Sequence, residues 1–269
     1  MHKPKSFPGN MDDRRFIKEV LSYYEKSGRH DLTWRKKITP YKILVSEIML
    51  QQTQVPRVLP KFTAWMKAYP TLSALSKASL TDVLKLWQGL GYQRRAKALY
   101  DMARSVRTIP KDYSELLALK GVGPYTASAL CAFAYDTFPD RLLETNIRTA
   151  LIEAFHQGEA NIHDGRLYDD LSRLTKNKVV QKAGARTWYC ALMDYGAYLK
   201  SMRISHNEKS VHNTRQSPYA GSLRQLRARV LFAITHKEKL PRDERLPRVL
   251  EQLATEGYII KNGRKFSIQ

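Results

Sequence analysis

The stretch SEIMLQQTQV, residues 46 to 55, carries one acid, Glu47, inside an otherwise apolar helical pattern, and closes on three amides, Gln51, Gln52 and Gln54. Removing a carboxyl from water favours its neutral form, so a glutamate held there could keep a proton for a leaving group. The same residue at the wet edge of an amphipathic helix would have no chemical task, and periodicity leaves that reading open. The amides suit base edges or the space vacated by a base, and are equally ordinary on a helix surface. A second candidate is RLLETNIRTALIEAF, residues 141 to 155, where Glu144 and Asn146 stand ahead of an apolar helical run. Thr145 is expected as the N-cap, and an acid beside a helix N-terminus is favoured by the dipole in any protein. The third is LKGVGPYTASALCAFAY, residues 119 to 135, which sets Gly121 and Gly123 between two helical patterns. Glycine permits positive φ and close approach, and the following helix N-terminus offers unpaired N–H groups, so the turn suits a phosphate oxygen as a helix-hairpin-helix does.

These residues sit in a chain of 269, 43% hydrophobic, with 46 Lys+Arg against 25 Asp+Glu and a formal charge of +21. Such an excess favours a polyanionic partner, first of all nucleic acid, because each phosphate neutralised releases a counterion. An acidic membrane or heparin-like partner fits the composition equally, though no basic amphipathic helix with a bulky aromatic face supports it. No apolar run approaches the length of a membrane span, and MHKPKSFPGN lacks the apolar core of a secretory signal, so a cytoplasmic, nucleoid-associated location is expected. Cys131 and Cys190 lie far apart in apolar segments with no C-x-x-C pair, and read as buried small hydrophobes.

Apolar residues recur at helical spacing: Phe16, Val20 and Tyr24; Ile43, Leu44 and Ile48; Val58, Phe62 and Trp65; Val83, Leu84 and Trp87. The first two hundred residues read as all-α. Breaks are expected at Thr39-Pro40, Tyr69-Pro70, Gly89-Leu-Gly91, Ile109-Pro110, Gly121-Val-Gly123 and Phe138-Pro139. Residues 201 to 217 read as a basic linker or an extended basic crossing. Two helical patterns follow, Leu223 to His236 and Glu244 to Glu256, then YIIKNGRKFSI, whose Asn262-Gly263 predicts a two-residue hairpin turn. Helices and a hairpin in a basic segment suggest a winged-helix-like module over 218–269, or a C-terminal domain that merely packs.

Four blocks, TPYKILVSEIMLQQTQV, LWQGLGYQRRAKAL, LKGVGPYTASAL and ALMDYGAYL, occur in an order and spacing that resemble MutY-type adenine DNA glycosylases of the helix-hairpin-helix superfamily, over roughly residues 15 to 200. The resemblance implies an all-α domain over 1–200 made of two helical subdomains, which flips adenine mispaired with 8-oxoguanine or guanine out of duplex DNA. It implies that Glu47 protonates the adenine at N7, that Glu144 stabilises the cationic sugar and takes part in water attack, and that Asn146 and Tyr125 support this site. Relatives of the endonuclease III type carry a Schiff-base lysine at the Tyr125 position; with tyrosine there, a monofunctional enzyme is implied. Gly121 and Gly123 match a phosphate-gripping hairpin, Gln51, Gln52, Leu90 and Tyr92 match regions that probe the opened duplex, and Arg94, Arg95 and Lys97 would contact phosphates. A monomer acting on double-stranded DNA with a mispaired or damaged base is expected.

The chain departs from the pattern in three places. The family's four cysteines after the MDYGA-like block are missing from YLKSMRISHNEKSVH, so no 4Fe–4S cluster is expected and no metal site is assigned. The usual domain that reads 8-oxoguanine is replaced by the short basic module. The family's aspartate is Glu144, one methylene longer, and a carboxylate moved by about an ångström can cost about a hundredfold in rate. Two other readings follow: a thymine or uracil mismatch glycosylase, and a DNA-binding protein that has lost catalysis.

Overall fold

The structure, a computed structural model, describes residues 11–212, 218–263 and 265–269. The N-terminal decapeptide and positions 213–217 of the expected linker lie outside the described residues. In chain order the helices are α1 (Asp13–Ser27), α2 (Pro40–Leu50), α3 (Val55–Ala68), α4 (Leu72–Ser76), α5 (Leu80–Trp87), α6 (Arg94–Ser105), α7 (Tyr113–Leu117), α8 (Pro124–Phe133), α9 (Thr145–Phe155), α10 (Asp164–Thr175), α11 (Lys178–Ala183), α12 (Ala185–Ser201), α13 (Leu223–His236) and α14 (Leu246–Thr255). The hairpin is β1 (Ile259–Asn262) with β2 (Lys265–Ile268). Every proline and glycine break expected from sequence falls at a helix start or between helices. None of the described helices is long and apolar enough to cross a membrane.

The chain forms two compact units. The first comprises residues up to Ile43, Lys111–Ser114 and Gly123–Arg215; the second comprises Leu44–Pro110, Glu115–Val122 and Gln216–Gln269. In the first, α12 packs on α9, α1 and α8. Its centre is aromatic: Phe16 meets Phe155 at 5.0 Å, Trp188 at 6.4 Å and Tyr195 at 6.3 Å, all edge-on. Such contacts add to area burial because ring edges carry positive charge and ring faces negative. Asp12 starts α1 by accepting from the Arg14 and Arg15 N–H groups at 2.9 and 3.2 Å. At the other end of α1 and just beyond it, Arg29 and Arg35 converge on Asp194 of α12, at 2.6 and 2.7 Å. Residues 201–212 are docked rather than a free linker. His206 Nε2 pairs with Glu153, the Ile162 N–H donates to the Lys209 carbonyl at 2.8 Å, and that of Val211 to the Ile162 carbonyl at 3.2 Å.

In the second unit α5 and α6 pack together, α4 lies on α6 and α3 on α5, around Trp65 and Trp87, whose rings meet at 5.6 Å. Ser79 caps α5, accepting from the Asp82 N–H at 3.1 Å. The C-terminal elements belong to this same unit. Helix α13 packs on α5, on α14 and on β2, with Leu226, Val230 and Leu231 buried. The strands pair antiparallel with Asn262 opposite Lys265. Asn262 is therefore the last ladder residue and the turn begins one position later than expected, at Gly263, whose φ is +61°. Asparagine fits the ladder end because the pairing register, fixed by Ile259 against Ile268, decides which residues are left to turn.

Candidate active site and nucleic-acid interface

In the second unit, Glu47 lies in mid-α2 and is 6% exposed, between Ser46 and Ile48, which are buried as well. The wet-edge reading of this glutamate is thereby set aside. Past the end of α2, Gln51 is half-buried and Gln52 exposed, with Gln52 at φ +56°. The other segment expected to probe a duplex, between α5 and α6, holds a buried Leu90 and a half-buried Tyr92 at φ +45°. A left-handed backbone costs a non-glycine residue about 1–2 kcal/mol, so something must hold both loops.

That something is Arg95. Its guanidinium is buried; Nη1 donates to the carbonyls of Ile48 and Gln51, both at 2.7 Å, and Met49 at 3.2 Å. Nη2 donates to Leu90 at 2.7 Å and Gly91 at 3.2 Å. Among the described residues no carboxylate pairs with it, and burial pulls its pKa down to about 10. The cation satisfies the orphan carbonyls at the negative end of α2 and ties them to the second loop. A phosphate contact was expected of Arg95; the structure gives it an internal clasp instead, because both terminal nitrogens are turned to loop carbonyls and Nε is buried without a partner among the described residues. Arg94 is exposed, 5.5 Å from the Tyr92 ring centroid. Lys97 is half-buried, paired with Asp101 at 3.0 Å and 5.9 Å from the Tyr258 ring. Asp101 also takes Lys120; against the opposing effect of burial, these two ammonium groups hold it below the usual carboxylate range.

The Gly-Val-Gly turn separates in function. Gly121 has φ +83°, and a Cβ there would lie 2.5 Å from that of Ala98, so glycine is required twice over. Gly123 has φ −97° and is the N-cap of α8, with nothing within 4 Å of where a Cβ would stand. Its expected positive φ is not found. What glycine leaves there is open room above the first N–H groups of α8, whose second residue is the half-buried Tyr125.

In the first unit, Glu144 rather than Thr145 is the N-cap of α9. Its Oε1 accepts from the N–H groups of Asn146 at 2.8 Å and Ile147 at 2.9 Å, and its Oε2 from the Thr145 hydroxyl at 3.3 Å. The extra methylene lets the carboxylate curl over its own helix start, at the positive end of the α9 dipole. Lys200 of α12 feels the carboxylate. Burial pushes its ammonium pKa down and Glu144 pulls it back up. Half-buried Asn146 is placed by Gly196, since a Cβ at 196 would overlap the Asn146 carbonyl. Sequence reasoning used Asp194 and Gly196 only as part of a matching block. A lone glycine inside a strongly helical pattern was the available sign of a close helix contact.

The donor set does not fit a cysteine-ligated cluster. The chain has two cysteines, both buried and free, and no group of three or more His, Cys, Asp or Glu among the described residues could hold a metal.

Helices joined by a Gly-Val-Gly turn that feeds a helix N-terminus, beside a carboxylate that caps another helix, are the features of a helix-hairpin-helix fold. Consistent with this, the pattern of HhH-GPD superfamily base excision DNA repair proteins matches residues 45–218, more than half of the chain, and the protein belongs to that superfamily. It is similar to the adenine DNA glycosylase of Mycolicibacterium smegmatis, at 35% identity over 234 residues, 79% of this chain and 78% of that protein. The adenine DNA glycosylase of Mycobacterium tuberculosis is 43% identical over 144 residues, 51% of this chain but 46% of its own length. In fold the chain is similar to a thermostable thymine-DNA glycosylase, TM-score 0.58 at 22% identity, over 73% of this chain and 91% of that one. A trapped endonuclease III–DNA covalent intermediate matches with TM-score 0.54 at 16% identity, over 79% and 92%.

Proposed function

We propose that the protein is a monofunctional adenine DNA glycosylase of base excision repair, hydrolysing the N-glycosidic bond of adenine mispaired with 8-oxoguanine or guanine in duplex DNA. The observation that carries the reading is the burial of the Glu47 carboxyl in α2, in a chain similar to adenine DNA glycosylases over most of its length. Bond cleavage develops positive charge on the sugar and negative charge on the base, so an acid and an anion lower one barrier from its two ends. Glu47 holds the proton and delivers it to N7 of adenine as the bond breaks. Glu144, held by the α9 N–H groups, faces the cationic sugar and helps the attacking water; Asn146 and Tyr125 support that site. No amine stands at 125, so the product sugar is left unattacked there. The open N-terminus of α8 above Gly123 takes a backbone phosphate. The enzyme works as a monomer, without an iron–sulfur cluster, in the cytoplasm on nucleoid DNA.

One observation favours a second reading, binding without catalysis: Glu144 is engaged by three donors of its own helix start. Single-turnover base release decides, from duplexes carrying A opposite 8-oxoguanine, A opposite G, T or U opposite G, and hypoxanthine. Wild type should release adenine, and Glu47→Gln should slow release by about a hundredfold or more. Tight binding with no release from any duplex would overturn the enzymatic reading, and release of T or U alone would overturn the base assigned.

A further inference from the structure

Arg224, in the first turn of α13, is 132 residues from Tyr92 in the chain, yet its Nη1 donates to the Tyr92 hydroxyl. Its guanidinium lies 5.5 Å from the Tyr92 ring centroid and 6.0 Å from that of Tyr219, which is 52% exposed. With Arg94 at 5.5 Å and Arg95 at 5.6 Å, three guanidiniums thus lie against one ring. Arg224 is itself held. Ser222 caps α13, the Gly221 N–H donates to Gln225 Oε1 at 2.7 Å, and Arg245 Nη1 donates to the Gly221 carbonyl at 2.9 Å. Helix α13 rests on α5, which leads directly into the Tyr92 loop. Arg95 fixes the backbone of that loop from inside; Arg224 fixes the ring from the C-terminal elements.

We propose that Arg224 is a positioning residue that sets Tyr92 as a stacking platform for an unpaired nucleobase, so that the C-terminal elements govern discrimination between mispaired and fully paired duplexes. The inference rests on the nucleic-acid reading of the Tyr92 loop given above. An aromatic face flanked by cations suits a base because every base offers a π-face, and a base presents it once out of its stack, which a mispair yields at lower cost than a full pair. A guanidinium meant for phosphate would add equally to every duplex; this one commits a donor to the Tyr92 hydroxyl.

The test measures binding of a singly mispaired and a fully paired duplex to wild type, Arg224→Met, Arg224→Lys, Tyr92→Leu and the Tyr92→Leu/Arg224→Met double variant, with the melting temperature of each. Arg224→Met should reduce the preference for the mispaired duplex about tenfold with the salt slope unchanged, Arg224→Lys should restore part of it, and Arg224→Met should add nothing in the Tyr92→Leu background. Equal weakening on both duplexes with a salt slope lower by about one would make Arg224 a phosphate ligand and overturn the proposal. An unchanged preference, or effects that multiply in the double variant, would overturn it too. If Arg224→Met melts lower, the Arg224→Lys and Tyr92→Leu comparisons carry the decision. Absence of base release from any duplex would defeat the enzymatic reading, yet leave these binding ratios to decide on Arg224.

Discussion

Glu144 serves its helix with the same oxygens that the proposed chemistry would use, and the two roles can be separated at this one residue. Glu144→Gln keeps an oxygen for the Asn146 and Ile147 N–H groups, so folding stability should change by less than about 1 kcal/mol, while base release should fall about a hundredfold with the charge gone. Urea melts beside single-turnover rates check this; stability lost with activity untouched would leave Glu144 a cap and nothing more. Arg95→Lys replaces a planar fork by a point charge that cannot serve carbonyls of two loops together. It should cost about 1–3 kcal/mol, seen as a lower urea midpoint at constant slope. At this scale Gly121 was legible, because a glycine turn is a signal borne by the residue itself, whereas periodicity left Glu47 either inside or at a wet edge and only packing shows it buried. The clasp was not legible. Its acceptors are backbone carbonyls at 48–51 and 90–91, which carry no side-chain signature, so Arg95 looked like any cation in a basic chain.

Between elements, the ion cluster joining α1, the turn after it and α12 makes stability depend on pH. Burial disfavours ionised Asp194, but the Arg35 and Arg29 guanidiniums outweigh it and hold the carboxyl below its ordinary 3.8. A depressed carboxyl stabilises the fold above its unfolded pKa and ceases to do so as pH falls through the folded value. Wild type should therefore lose stability below about pH 4. Asp194→Asn should be weaker by about 2–3 kcal/mol at pH 7, with two half-buried arginines left without their carboxylate, and flatter below pH 4. Urea midpoints from pH 3 to 7 check both. Gly196→Ala should separate α12 from α9 and reduce both stability and base release. Helix order and breaks were readable because periodicity and proline act locally. The docking of 201–212 was not, since His206 and Glu153 lie far apart in sequence, and the hairpin turn was misplaced by one residue because cross-strand register overrode the Asn-Gly cue.

For the molecule as a whole, the charge of +21 continues to the C-terminus, where residues 200–269 carry 15 Lys+Arg against 6 Asp+Glu. Deleting 218–269 cannot test what that charge does, because it would also strip Leu226, Val230, Val249, Leu253 and Tyr258 from the core of the second unit. Changing exposed Arg229, Lys239, Arg242 and Arg248 to Gln leaves the core intact. If these side chains hold phosphates, affinity should fall and the slope of log K against log salt should flatten by about 0.9 for each phosphate no longer neutralised. An unchanged slope would restrict the C-terminal elements to packing and to holding Tyr92.

Both units are assembled from separated pieces of chain, and the partner of α5 is encoded some 140 residues after it. During synthesis, α3 to α6 leave the ribosome with the face that α13 will cover still bare, and they wait for residues 223–236 to emerge. A transcript cut short before α13 would release a protein with all of the proposed catalytic residues and an unsealed apolar surface. Such a chain is a substrate for chaperones and proteases rather than a crippled enzyme loose on the genome.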